Sequence, residues 1–306
     1  MTNTNDNFIM LPTVDLCFKK LMDNEKVRRG FIAALLQTDP EQIRETIVLP
    51  TELQREYADD KLGILDVRVA LKDGTQIDME MQVAYFENWD ARALFYLGKM
   101  FTEQLKKGDP YDNLKKCIHV SILDFVHFRD DEECYRKIVL CDEKTGKKYT
   151  DLLELQILEL KKLSKRTEDE ENVISWMRFL SGKSREEFEA MAKTDEYISE
   201  AYSSLKKLSA DDIEKLQYEA REKAIRDYNS QMSSSLKRGI RQGIEQGIER
   251  GQTLEKVKLV LKKYQKGKSI EEIADELEED ISSIDRIYQL VRENPEETPE
   301  ELLKKL

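Results

Sequence analysis

The stretch Leu65–Val83, LDVRVALKDGTQIDMEMQV, alternates along almost its whole length. Leu65, Val67, Val69 and Leu71 fall on one side, and Asp66, Arg68 and Ala70 on the other. After Lys72-Asp73-Gly74 the alternation resumes, with Ile77, Met79, Met81 and Val83 set against Gln76, Asp78, Glu80 and Gln82. A period of two is that of a strand with one buried face. The stretch therefore reads as a hairpin of strands 64–71 and 75–83. The connection fixes its register. A two-residue Asp73-Gly74 turn sets Asp66 opposite the apolar Met81. A three-residue loop with a left-handed Gly74 pairs Leu71 with Thr75. Asp66 then faces Glu80, Arg68 faces Asp78, and the two apolar rows share a face. A one-residue slip would turn every side chain over, so the pattern selects the second register.

Two directly opposed carboxylates repel, by up to ~1 kcal/mol. A divalent cation held by both, with a main-chain carbonyl and waters, would remove that cost and suits Mg²⁺. The plainer reading is a pair of surface acids on a half-exposed sheet.

Outward from the hairpin, residues 14–37 carry apolar positions at helical spacing, as two short helices. Residues 88–107 form an amphipathic helix with Asn88 or Asp90 as its cap, and Gly108-Asp109-Pro110 ends it. Residues 116–126 read as a buried strand, and 135–141 with 148–160 as a later hairpin. This order predicts an α/β core. The acidic stretch Thr167–Glu171 marks a boundary, beyond which the chain reads as helix. Ser209 with Asp212, and Ser282 with Asp285, have capping-box spacing.

Composition narrows the class. Of 306 residues 37% are charged, with 12 glycines and 6 prolines, which fits much solvated helix and excludes collagen-like or Pro/Gly-rich chains. Cys17, Cys117, Cys134 and Cys141 form no C-x-x-C pair, and His119 and His127 are the only histidines. Zinc sites and Ser-His-Asp or Cys-His catalysis are thus poorly supported. No run approaches the ~18 apolar residues of a membrane span, and the N-terminus MTNTNDNFIMLP lacks the basic and apolar regions of a signal peptide. A cytoplasmic protein is expected.

Asp66, then thirteen residues, then Glu80-Met81-Gln82 resembles the D…(E/Q)-x-K signature of PD-(D/E)XK nucleases, with Gln82 in the lysine place. Asp15-x-x-Phe18-Lys19, Leu65-Asp66, Arg92-x-x-x-Tyr96, Gly108-x-x-Tyr111, the strand 118–125 and Leu158-Glu159-Leu160 match one branch, the recombination-promoting nuclease/putative transposase family. The resemblance implies a restriction-endonuclease-like core, a mixed sheet flanked by helices, followed by an all-helical extension. It implies hydrolysis of DNA phosphodiesters by a bacterial-type endonuclease tied to recombination or mobile elements. Asp66, Glu80 and the Met81 carbonyl would hold Mg²⁺ or Mn²⁺. The catalytic set would be Asp66, Glu80, Gln82 and Lys19, with Asp15 and Arg92 as phosphate-binding or supporting groups. An amide orients water but supplies neither charge nor proton, so Lys19 is the candidate replacement for the absent ammonium. Against this stand a merely solvated Lys19, or one paired with Asp15 four residues earlier. The alternative function is an inactive relative that binds DNA or protein through the same fold.

The expected domains are a nuclease-like 1–165, a helical 166–235, a basic Gly-Ile repeat helix 236–268 and a small helix-turn-helix-like tail 269–306. In the repeat, Gly239, Gly243, Gly247 and Gly251 alternate with Ile240, Ile244 and Ile248 at period four. Each glycine costs a helix about 0.8–1.0 kcal/mol relative to alanine. A small-residue strip repays this only by letting another helix approach closely, which points to a homodimer through Gly239–Gly251. The alternative is a weakly helical linker. In the tail a dense row of acids, Glu271 to Asp280, would face phosphates, which favours protein packing over DNA reading there.

Overall fold

The structure, a computed structural model, describes residues 8–52, 65–85, 87–164 and 171–306. The chain divides into two compact units, Met1–Arg226 and Asp227–Leu306.

The first unit is built on a six-stranded sheet in the order β1-β2-β3-β4-β6-β5. Its strands are β1 (Thr46–Leu49), β2 (Val67–Leu71), β3 (Gln76–Gln82), β4 (Cys117–Leu123), β5 (Tyr135–Val139) and β6 (Leu153–Glu159). The pairs β3–β4 and β4–β6 are parallel and the other three antiparallel. A parallel pair needs a crossover, and helix α3 (Trp89–Thr102) supplies the one between β3 and β4.

The hairpin has the three-residue register. Val67 pairs with Met79 and Arg68 with Asp78. Leu71 N–H donates to Thr75 O at 2.8 Å, and Gly74 takes φ +89°, a conformation that suits a residue without Cβ. Val67, Val69, Ile77, Met79 and Met81 all join the main core. That core is closed by α1 (Asp15–Asp23), α2 (Glu25–Leu36), α4 (Asn172–Ser181), α5 (Arg185–Ala192) and α6 (Glu196–Ala210). α2 and α6 approach so closely that a Cβ on Gly30 would lie 2.4 Å from that of Tyr197. Leu65 departs from the expected alternation. The chain bends at Asp66, and Leu65 packs instead with Tyr96, Leu97 and Met100 of α3.

Strand β1 went unread in the sequence. Four residues at a sheet edge, with Ile47 and Val48 about half exposed, carry no alternating signal. The buried Arg28 of α2 ties it down, donating to Thr46 Oγ1 (3.0 Å) and to the carbonyls of Thr46 (3.1 Å) and Met22 (2.6 Å). Two expected caps are also corrected. Ser209 lies inside α6 and accepts from Met10 N–H at 2.9 Å, while Asp211 caps the next helix. Ser282 lies inside a helix that begins after Asp280 with no side-chain cap. The proposed boundary at Thr167–Glu171 falls mostly outside the described residues.

Helix α7 (Asp212–Tyr264) begins in the first unit and enters the second. In the second unit Val257, Val260 and Leu261 of α7 pack with α8 (Ile270–Leu277), α9 (Ile281–Glu293) and α10 (Pro299–Leu303) around Ile273, Ile284, Ile287 and Leu302. Complete capping boxes, Ser269 with Glu272 and Thr298 with Glu301, start α8 and α10.

Candidate active site

The polar face of the hairpin lies beneath α3 and beside α1. Continuing the β2–β3 register by one step sets Asp66 across from Glu80. Asp66 does not extend freely from the sheet. Its Oδ2 accepts from Met81 N–H at 3.1 Å, and its Oδ1 lies 3.0 Å from Lys19 Nζ. Lys19 reaches it because α1 turns Phe18, Leu21 and Met22 into the core, which leaves Lys19 on the half-exposed side.

Glu80 is buried at the centre of β3. Arg92, one turn into α3, brings one nitrogen to 3.3 Å from Glu80 Oε1 and another to 3.4 Å from Gln82 Oε1. Its Nε–H donates to Tyr96 OH at 3.2 Å, and Tyr96 packs on α3's buried side. Arg68 faces Asp78 in register, but its guanidinium binds Glu103 and Gln76 instead.

Asp78 has another partner. In the parallel register it lies beside His119, and Glu80 beside Ser121. Asp78 Oδ2 and His119 Nδ1 are 2.6 Å apart, and Ser121 Oγ is 2.8 Å from His119 Nε2, all of them buried. Sequence reasoning missed this row. The signal is His119-x-Ser121 on one face of a strand, but it acquires meaning only once β4 is known to lie against β3.

These neighbours set the protonation of the site. Burial, then the Asp78 charge, push Glu80 up to about 7, while His119 and Arg92 pull the other way. Burial alone would depress His119, but the adjacent Asp78 carboxylate more than offsets it, so the imidazole holds its proton above the usual range. Asp15 has a partner of its own. Arg221 of α7 grips both its oxygens at 2.6–2.9 Å. Burial opposes Asp15's ionisation, yet that grip lowers its pKa overall.

The donor set suits a hard divalent cation: two carboxylates, an amide and main-chain carbonyls. Among the described residues no group of three or more His, Cys, Asp or Glu is gathered for a metal, so two carboxylates would share the task with main chain and water. Each now has a side-chain cation, Lys19 for Asp66 and Arg92 for Glu80. The site thus already draws positive charge to the position where an ion would act, and the residues fit one.

A family model described as PD-(D/E)XK nuclease family transposase matches residues 12–235. Neither the curated proteins nor the solved structures provide a match. The mixed six-stranded sheet flanked by helices, with its long helical C-terminal part, agrees with that family's fold. No helix of the described residues is long and apolar enough to cross a membrane.

Proposed function

Since the chain belongs to the PD-(D/E)XK nuclease family of transposases, we propose that it is a divalent-metal-dependent DNA endonuclease whose missing motif lysine is replaced by Lys19. The observation that carries this reading is Lys19 Nζ at 3.0 Å from Asp66, across the hairpin from Glu80 and with Gln82 in the lysine's usual place. Asp66, Glu80 and the Met81 carbonyl would hold Mg²⁺ or Mn²⁺. When bound, the ion acidifies a water and neutralises charge on the transferred phosphoryl group.

The chain's own groups do the rest. Gln82 orients the attacking water through its amide. Lys19 turns its ammonium from Asp66 toward the phosphate as negative charge develops there. Arg92, whose guanidinium lies between Glu80 and Gln82, would steady a neighbouring phosphate. The working compartment is the cytoplasm, where DNA is the substrate, and the biological setting is recombination or mobile-element traffic.

A second copy of the chain is the proposed partner, through Gly239–Gly251. Every residue from 227 to 252 is exposed, and Tyr228, Met232, Leu236, Ile240, Ile244 and Ile248 recur there at steps of four. A helix carrying four glycines, with no tertiary cover among the described residues, is marginal alone.

The test is nicking of supercoiled plasmid with Mg²⁺ or Mn²⁺, wild type against Asp66→Ala. Metal-dependent nicking lost in the variant supports the reading. Equal nicking by both proteins, or none by either, favours the inactive relative that binds DNA or protein, a reading to which Gln82 in the lysine place lends weight.

A further inference from the structure

Lys19 stands within reach of two carboxylates. Asp15 precedes it by one helical turn on α1, the spacing at which Asp and Lys side chains pair. Asp66 lies 3.0 Å away on the sheet. The choice between them is made elsewhere. Arg221, more than two hundred positions along the chain, places Nε 2.8 and 2.9 Å from the two Asp15 oxygens and a terminal nitrogen 2.6 Å from one of them. Such a two-pronged guanidinium pair is the strongest form of this interaction. It leaves Asp15 little capacity to attract a lysine.

Arg221 is itself fixed. Glu214, Tyr218 and Arg221 recur at helical spacing on the first turns of α7. Glu214 pairs with Lys20 at 2.9 Å, and Tyr218 OH accepts from Leu11 N–H at 3.1 Å. One face of α7 therefore grips α1 and the chain leading into it at three points. Tyr218 is buried in the core and serves stability. Arg221 is half exposed and touches only Asp15 among the ion pairs of the described residues, so the pair adds no more than about 1 kcal/mol to stability.

We propose that Arg221 is a positioning residue for the nuclease site: by occupying Asp15 it leaves Lys19 to Asp66. This rests on the reading that Lys19 serves cleavage. The test compares wild type, Arg221→Gln and the double variant Arg221→Gln/Asp15→Asn by two measurements. One is the Lys19 ammonium resonance in ¹⁵N-lysine-labelled protein, with Asp66→Asn as the reference for a Lys19 released from the sheet. The other is plasmid nicking at two salt concentrations. Melting temperatures confirm that each variant is folded.

In Arg221→Gln the resonance should move toward the Asp66→Asn position, and nicking should fall about fivefold, the scale a half-exposed ion pair is able to impose. The double variant should return both toward wild type. An unmoved resonance overturns the proposal. So does a loss that Asp15→Asn fails to rescue and that deepens with salt, since Arg221 would then bind DNA phosphate directly. A moved resonance with an unchanged rate supports the exchange of ion pairs and overturns the part given to Lys19 in cleavage.

Discussion

Lys19 and Asp66, one on the first helix and the other at the bend before the second strand, meet at 3.0 Å on the edge of the polar sheet face. Phe18, the neighbour of Lys19, is fully buried, so the ammonium's direction is set by core packing. Lys19→Ala should lower cleavage by about 10²–10³, the usual cost of removing one preorganised electrostatic group. The pair is partly exposed, so stability should change by no more than about 1 kcal/mol. Gln82→Lys in that background should restore part of the rate. Plasmid nicking and denaturant titration of the three proteins check this, and a Lys19→Ala enzyme of normal rate would remove Lys19 from the mechanism.

Glu80 makes stability depend on pH. Its folded value of about 7 lies above the ordinary 4.5. Between those values the folded chain holds a proton that the unfolded chain has lost, so stability should fall as pH rises through that window. The steepest slope from one such group is about 1.4 kcal/mol per pH unit. His119, also raised, adds loss in the same direction above its unfolded value of 6.5. Glu80→Gln should flatten the slope between pH 5 and 7. Mg²⁺, which favours the ionised carboxylate, should oppose it in wild type. Urea titrations at pH 5, 6 and 7, with and without MgCl₂, measure both effects.

Gly30 tests the seam between α2 and α6. A Cβ there would meet three Tyr197 side-chain atoms at 2.4–2.9 Å, and the nearest is Tyr197 Cβ, which cannot swing away. Gly30→Ala gains helix propensity but overpacks, and a net loss of about 1–3 kcal/mol is expected. A melting temperature at or above wild type would mean that the two helices separate at little cost.

Much of this site was legible because alternation fixes register. The rows 65–71 and 76–83 left only one loop length that kept both apolar sets together, and that decision alone put Asp66 across from Glu80. Leu65 broke the pattern because the chain bends at Asp66, where the strand period no longer applies. The row Asp78, His119 and Ser121 was illegible for another reason. It depends on a parallel pairing across the α3 crossover, and no turn chemistry encodes that register. Arg221 and Asp15 lie farther apart still, on two helices whose contact is decided by Tyr218 and the core rather than by any local spacing. The edge strand β1 gave no signal because Ile47 and Val48 are both about half exposed.

The glycine strip separates its own contribution from the fold. A Cβ added to Gly243 or Gly247 meets nothing within 4 Å among the described residues of the single chain. Gly243→Leu with Gly247→Leu therefore strains nothing in a lone helix, and each change should favour the helix by close to 0.8 kcal/mol. In a packed pair the outcome reverses, because leucines would force apart helices that small residues had let approach. A step of four exceeds the 3.6-residue turn, so the strip winds as a right-handed spiral and a partner must follow it with that hand. Light scattering should give a dimer for wild type and a monomer for the double variant, while helical circular dichroism at low concentration holds or rises. A wild type already monomeric removes the proposed partner. A variant that remains dimeric moves the interface off the glycines and onto another surface of the chain.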